Sequence, residues 1–145
     1  MVVRVKVRLR PLKGTVGETV EGVAVLNAGY ESEGEEIVIP VKVAERLGLW
    51  PKLPEGTEVE ACEVAGGIKV RTYFIRDCLE VQVIAEDKSS KPIRTAAVIM
   101  EGQKEMLLSD ASISSHQIII EDAKRGIWRF RGEEKLRKSE KPQYW

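Results

Sequence analysis

The residues with the clearest chemical implication are Asn27, Ala28 and Gly29, which follow an apolar run at residues 23–26. A strand that ends in a small, glycine-containing turn can raise one polar side chain into a cleft. An aspartate there could exchange protons with a substrate. The amide of Asn27, the only asparagine in the chain, has no titratable proton near neutral pH and no lone pair basic enough to deprotonate water. The identity of this side chain decides the chemistry of the turn, and an amide supplies neither an acid nor a base.

Other carboxylates lie close enough in sequence to be considered as replacements. Glu31 and Glu33 follow the turn within an acidic loop at residues 31–36, and Asp110 follows a short apolar segment. The alternative is that the loop is solvated and that Asp110 caps a helical turn, as aspartate often does. We favour this structural interpretation.

Histidine and cysteine chemistry has little support. His116 is the only histidine and stands beside Ser114 and Ser115. Adjacent residues rarely give a nucleophile and its base the geometry they need, so we interpret His116 as a helix-end or surface residue. Cys62 and Cys78 form no CxxC pair and are interpreted as half-buried thiols. We therefore expect no metal and no cofactor.

Length and composition indicate one domain with its own core, because the chain has 145 residues and 43% of them are hydrophobic. No apolar stretch approaches the ~18 residues of a membrane helix, and the N-terminus lacks the continuous apolar segment of a signal peptide. Basic and acidic residues both number 23, so the overall charge gives no reason to expect nucleic acid or a membrane. We expect a cytoplasmic protein, with a charged, amide-poor composition resembling that of thermophile proteins.

Short strands dominate the pattern of the chain. Valine and leucine alternate with arginine and lysine at residues 3–10, and further strands are expected at 19–26, 37–39, 79–85 and 93–101. A long hairpin is expected at residues 58–75. It would turn at Gly66 and Gly67, because glycine readily adopts the positive φ that tight hairpin turns require. A second hairpin is expected at residues 118–130. Short helices are expected after Pro40 and at residues 110–116.

These elements predict an all-β or mostly-β closed barrel with one or two short helices and a flap-like hairpin. We expect residues 1–131 to form this barrel. Residues 132–145 form a mostly charged tail, which we expect to be loose unless Tyr144 and Trp145 dock.

The order of these motifs resembles the retropepsin-like aspartic proteases, in particular the small single-domain microbial type. The resemblance covers about residues 2–131 and is carried by five segments: Leu26-Asn27-Ala28-Gly29, residues 39–49 from Ile39-Pro40 to Leu49, Ala65-Gly66-Gly67, Leu107-Leu108-Ser109-Asp110-Ala111, and Asp122-Ala123-Lys124-Arg125-Gly126. In that family two chains dimerise and each places one aspartate in a shared cleft, where the pair holds one proton. The resemblance thus implies a barrel, a homodimer and a peptide cleft beneath the hairpin.

The departures from the family pattern concern the same site. Asn27 stands at the position of the catalytic aspartate, and Ala28 replaces the threonine or serine whose hydroxyl links the two loops across the dimer axis. Tyr30 replaces a small residue, and Ser109 replaces glycine. We expect no catalytic residue in the Asn27, Ala28 and Gly29 motif, and Ala28 weakens the expectation of a dimer.

The resemblance also implies where a ligand would bind. It places a peptide against the hairpin residues Ala65, Gly66, Gly67 and Ile68, with the cleft lined by Tyr30, Leu107, Leu108 and Ser109. The leading hypothesis is a non-catalytic module that binds an extended peptide or a protein partner. The alternatives are an active peptidase that uses a displaced carboxylate, and a nucleic-acid binder.

The nucleic-acid alternative depends on the basic face of the first strand, formed by Arg4, Lys6, Arg8 and Arg10. Such a row could follow phosphates. It could equally form ion pairs with acids on a neighbouring strand, where Glu18 and Glu21 are expected. No aromatic residues alternate with the row, so we favour ion pairs.

Overall fold

The computed structural model describes residues 2–12, 16–63 and 65–145, and the expected thiol of Cys62 lies outside the described side chains. The strands are β1 (Arg4–Pro11), β2 (Val20–Leu26), β3 (Glu36–Ile39), β4 (Glu58–Glu63), β5 (Lys69–Ile84), β6 (Ile93–Met100), β7 (Met106–Leu108), β8 (Ile118–Asp122), β9 (Ile127–Phe130) and β10 (Arg137–Lys138). The helices are α1 (Val41–Arg46) and α2 (Asp110–Ser115).

Six strands close into a barrel in the order β1, β2, β7, β3, β6 and β5, because β1 pairs with both β2 and β5. The seventh strand of this sheet, β4, pairs with β5 and extends beyond the barrel as one arm of the flap-like hairpin. A separate sheet contains β10, β9 and β8 in that order. The predicted mostly-β closed barrel with two short helices is confirmed.

Alternation of side chains explains why these segments form barrel strands. In β1, Val5, Val7 and Leu9 are at most 1% exposed and face the core, whereas Lys6 and Arg10 face solvent. Burying one apolar row per strand removes a continuous apolar surface from water, which is the main stabilising contribution to a barrel of this kind.

The strand β5 is longer than the sequence suggests. We predicted a hairpin arm ending near Ile75 and a separate strand starting at Leu79, but the two are one 16-residue strand. A bulge between Ile75 and Leu79 shifts the register against β6, and Asp77 takes a positive φ of 44° there. A bulge inserts residues without ending the pairing of a strand. The polar residues between the two apolar runs therefore have the sequence pattern of a loop, although the strand continues through them.

The C-terminal residues lie against the barrel. Arg137 in β10 is 9% exposed and lies over the rings of Trp128 and Phe130, with its guanidinium 2.8 Å from Asp87. At the end of the chain, the N–H of Trp145 donates to the Lys104 carbonyl at 2.9 Å. Both of these tail residues therefore contact the rest of the chain.

Candidate functional site

A cleft of about 670 Å³ lies on the outer face of the large sheet. Its floor is formed by side chains of β3, β5, β6 and β7, and β4 provides one wall. The connection between β2 and β3 provides the opposite wall through Tyr30, Glu33, Gly34 and Glu35.

The register of the sheet places the floor residues side by side. Leu107 pairs with Val38, Val38 with Val98, and Val98 with Phe74. Glu58 of β4 pairs with Phe74 and ends this row. An apolar row therefore crosses the cleft and meets a carboxylate at the flap strand.

The floor residues face outward because their neighbours along each strand face the core. In β3, Ile37 and Ile39 are fully buried in the core, so Val38 between them points into the cleft. In β6, Ala97 and Ile99 are buried in the same way, which turns Ala96 and Val98 toward the cleft.

Tyr30 forms part of the wall. Its hydroxyl donates to Glu36 Oε1 at 2.7 Å. Burial, together with the hydrogen bond to this carboxylate, raises the pKa of Tyr30 well above its usual range, so the phenol stays protonated and keeps donating. Held in this way, Tyr30 lines the cleft and leaves its volume open.

Asn27 stands directly after β2, at the turn that borders this face. Its N–H donates to the Leu108 carbonyl at 3.1 Å, and its carbonyl accepts from the Tyr30 N–H at 3.0 Å. Alternation puts Asn27 on the same face as Val25, which pairs with the cleft residue Leu107. Among the residues that the structure describes, none forms a hydrogen bond with the side-chain amide.

Ser109 has a structural task that the sequence comparison did not reveal. It is fully buried, and its hydroxyl oxygen accepts the N–H of Ser112 at 3.3 Å as the N-cap of α2. The same oxygen also accepts the Glu36 N–H at 3.3 Å. Ser109 thereby links the start of α2 to the start of β3.

Asp110 is therefore not the cap that we expected but the first residue of α2. Its Oδ1 accepts the N–H groups of Ser32 at 3.0 Å and Ala111 at 2.7 Å. A side-chain hydroxyl one residue earlier satisfies the helix end, which leaves the Asp110 carboxylate to hold the loop before β3.

The expected site residues are thus distributed over different environments. Tyr30 and Leu107 line the cleft, whereas Leu108 and Ser109 are fully buried beneath it. The hairpin residues Ala65, Gly66, Gly67 and Ile68 are exposed, and the parts of the hairpin that line the cleft are nearer its base.

Several cleft residues were missed at first: Val38, Glu58, Glu60, Thr72, Phe74, Arg94, Ala96, Val98 and Met100. The alternation in β6 could have indicated some of them, because apolar residues occupy both faces of this strand and only one face can pack into the core. The sequence does not reveal that a loop and a hairpin rise on either side of that row.

His116 lies at the end of α2 and is buried, 1% exposed, contrary to the surface position that we had considered. Its Nδ1 lies 2.8 Å from Ser90 Oγ, whereas Ser115 donates to Glu35 Oε1. Burial lowers the pKa of His116 to about 4. A neutral ring packed away from the cleft is a structural residue.

The four basic residues of β1 all have acidic partners. Lys6 and Arg8 lie 3.6 and 2.9 Å from Glu21, as predicted. The other two pairs were not foreseen: Arg10 with Glu80 at 2.9 Å and Arg4 with Glu105 at 2.7 Å. The Glu105 hydrogen bond raises the pKa of Arg4, and the Arg8 hydrogen bond lowers the pKa of Glu21. Three carboxylates therefore offset most of the charge of the row, since Glu21 is shared by Lys6 and Arg8.

In the described parts of the chain, no group of three or more histidine, cysteine, aspartate or glutamate residues could hold a metal ion. No helix among the same residues has the length and apolar content needed to cross a membrane.

Comparison with known proteins identifies the architecture. No protein-family model and no curated protein matches the chain. Among solved structures, the retroviral protease-like domain of Ddi1 from Leishmania major is similar, with a TM-score of 0.50 and 16% sequence identity over 100% of this chain and 96% of that one. At that identity the likeness concerns the fold. The chain therefore has the retropepsin-like fold: a closed barrel, a flap-like hairpin and a cleft between them.

Proposed function

We propose that this protein is a catalytically inactive relative of the aspartic proteases that binds extended peptides in its cleft. The observation that carries the proposal is Asn27. It stands in the turn after β2, and the resemblance to the aspartic proteases assigns the catalytic aspartate to this position.

The chemistry of the amide supports the loss of hydrolysis. Aspartic protease chemistry needs one carboxylate to take a proton from water and one carboxylic acid to give a proton to the substrate. Each such group contributes ~10²- to 10⁴-fold to the rate, and a symmetric dimer with Asn27 in both copies would lack both groups.

Displaced catalysis by another carboxylate has weaker support. Asp110 is held by two backbone N–H groups, and Glu31 and Glu33 are exposed in the loop before β3. None of these three carboxylates belongs to the turn that carries Asn27, so we assign none of them a catalytic role.

The form of the cleft supports peptide binding. Its volume, apolar floor and polar walls are typical of ligand sites, and its floor row is wide enough for several side chains of an extended segment. A second copy facing this cleft, as the fold would permit, is part of the proposal, although Ala28 provides no hydroxyl for the link across the axis.

Peptidase assays test the loss of catalysis. We expect no cleavage of a mixed peptide library by the unmodified chain between roughly pH 3 and pH 7, the range in which a carboxylate pair would work. The double variant Asn27→Asp with Ala28→Thr restores the missing groups and serves as the comparison. Cleavage by the unmodified chain would refute the inactive interpretation.

Peptide binding is tested by filling the cleft. Ala96→Leu adds bulk to the floor and should weaken binding about tenfold or more, which corresponds to about 1.4 kcal/mol. Ala61→Leu is the matched control, because Ala61 is exposed on the flap strand and does not line the cleft. Equal effects of the two variants would argue against binding in the cleft.

A further inference from the structure

Acidic side chains outnumber basic ones around the cleft. Its carboxylates are those of Glu33, Glu35, Glu36, Glu58, Glu60 and Asp77, and its guanidinium groups are those of Arg76 and Arg94. Arg76 lies 3.6 Å from Glu58 and offsets that carboxylate. The cleft thus carries excess negative charge, although the whole chain has a formal net charge of zero.

Five of the six acids form two groups on opposite sides of an apolar floor. Glu33, Glu35 and Glu36 lie at the start of β3 or before it, and Glu58 and Glu60 lie on β4. From Glu36 to Glu58 there are three strand spacings of ~4.8 Å, and the register places Glu58 in the row of Val38, two residues further along, so the two Cα atoms are about 16 Å apart.

An extended peptide can span this separation when its terminal residues have long side chains, which add reach to the backbone distance. Side chains at positions i and i+2 point to the same face and are separated by ~6.7 Å, so positions i and i+4 are ~13 Å apart. A peptide lying across the strands can place positions i and i+4 at the two acidic groups. Position i+2 then lies over Val98 at the middle of the floor, where an apolar side chain fits.

We infer that the cleft selects extended peptides in which two lysine or arginine residues, four positions apart, flank a central apolar residue. Cations at both ends gain from opposite charge, whereas acidic peptides and nucleic acids meet like charge. This inference deepens the proposed function and rests on it, because it specifies which peptides the proposed cleft would take.

Fluorescence anisotropy with four labelled, end-blocked peptides tests the inference. The first contains Lys-Ala-Leu-Ala-Lys. The others contain Glu-Ala-Leu-Ala-Glu, Ser-Ala-Leu-Ala-Ser, and Lys-Lys-Leu-Ala-Ala, which keeps the first composition but changes the spacing. We expect the first peptide to bind about tenfold more tightly than the neutral and respaced ones, and its binding to weaken with added salt.

Charge-neutralising variants test where the selectivity arises. Glu33→Gln with Glu60→Gln removes one acid from each group and should reduce the preference for the first peptide about tenfold. Glu31→Gln with Glu55→Gln is the matched control, since both residues are exposed and neither lines the cleft. Circular dichroism and thermal unfolding verify that both double variants fold.

The outcomes separate this inference from the proposed function. Equal binding of the basic, neutral and respaced peptides, still sensitive to Ala96→Leu, would overturn the charge selectivity and leave peptide binding in place. No binding of any of the four peptides up to about 1 mM, together with none from a mixed peptide library, would overturn both. An equal loss of preference in the control double variant would also overturn the inference, because general charge would then be the cause.

Discussion

At the scale of single residues, the structural role of Asn27 is distinct from the chemistry of its side chain. Asn27 keeps the backbone hydrogen bonds that join the turn to β7 and to Tyr30. An amide can keep such a position because the backbone groups form these bonds, whichever polar side chain is attached. Under the proposed function, the chemistry of this position changes with the side chain while the turn remains.

Ser109 gives the clearest residue-scale prediction. Ser109→Ala removes the N-cap of α2 and an acceptor for the Glu36 N–H, so we expect the free energy of unfolding to fall by about 2 kcal/mol. Ser114→Ala in the same helix is the control, because Ser114 is exposed. Urea denaturation measures both. A loss at Ser109 no larger than at Ser114 would contradict this role.

Residue identities showed where the turn lies, but not what surrounds it. Replacement of the family glycine by Ser109 suggested a reshaped loop, and only the structure shows the hydroxyl capping a helix and bonding to β3. The reason is physical: a side-chain hydrogen bond between residues 73 positions apart depends on tertiary folding, to which local sequence gives no access.

At the scale of elements, close packing joins the start of β2 to α1. A Cβ built at Gly17 would lie 1.9 Å from the carbonyl oxygen of Leu47, just beyond the end of α1. The backbone approaches too closely for any side chain at this point. Glycine is required there for space.

Gly17→Ala tests this contact. We expect a loss of about 3 kcal/mol in the free energy of unfolding, because backbone atoms must move apart to admit the methyl group. Gly34→Ala is the control, since a Cβ at Gly34 has no atom within 4 Å. Chemical denaturation of the two variants provides the measurement, and equal stability of the two would show that the approach is not maintained in solution.

Element prediction succeeded where periodicity was strong and local. The alternation in β1 and the paired glycines at 66 and 67 (φ 89° and 74°) indicated the strand and the hairpin correctly. The bulge in β5 and the short β10 were missed, because a bulge interrupts the alternation and a two-residue strand has none to show. Most residues that line the cleft were missed for a related reason, since the cleft arises between elements.

At the scale of the whole molecule, two buried or paired groups determine how stability depends on pH. His116 is kept neutral by burial, which lowers its pKa to about 4, and the Glu35 charge opposes this shift. Hydrogen bonds from Arg137 and then Lys135 lower the pKa of Asp87 to about 2. Both shifts make the unfolded chain the stronger proton binder at acidic pH.

The two groups act in separate pH ranges. The stability contributed by the neutral ring of His116 is fully present above its unfolded pKa of about 6.5. It is lost as pH falls toward about 4, and the loss in the free energy of unfolding is about 2 kcal/mol by pH 5. The contribution of Asp87 is complete above about pH 4 and is lost as pH falls toward about 2.

Urea denaturation at a series of pH values, with His116→Gln and Asp87→Asn, measures these contributions. We expect His116→Gln to flatten the pH dependence of the free energy of unfolding only between roughly pH 6.5 and pH 4. We expect Asp87→Asn to flatten it only below roughly pH 4. If the free energy of unfolding of His116→Gln changed with pH near pH 5 as steeply as that of the unmodified protein, the ring would not be buried in its neutral form.

The central claim is that the cleft binds an extended peptide and leaves it intact. One NMR titration tests it directly: the ¹⁵N-labelled protein is mixed with the Lys-Ala-Leu-Ala-Lys peptide, and protein amides and peptide signals are followed in the same sample. The account predicts shifts centred on Val38, Phe74 and Val98, with peptide signals that remain those of one uncut chain. Shifts centred elsewhere, or the appearance of new peptide termini, would contradict it.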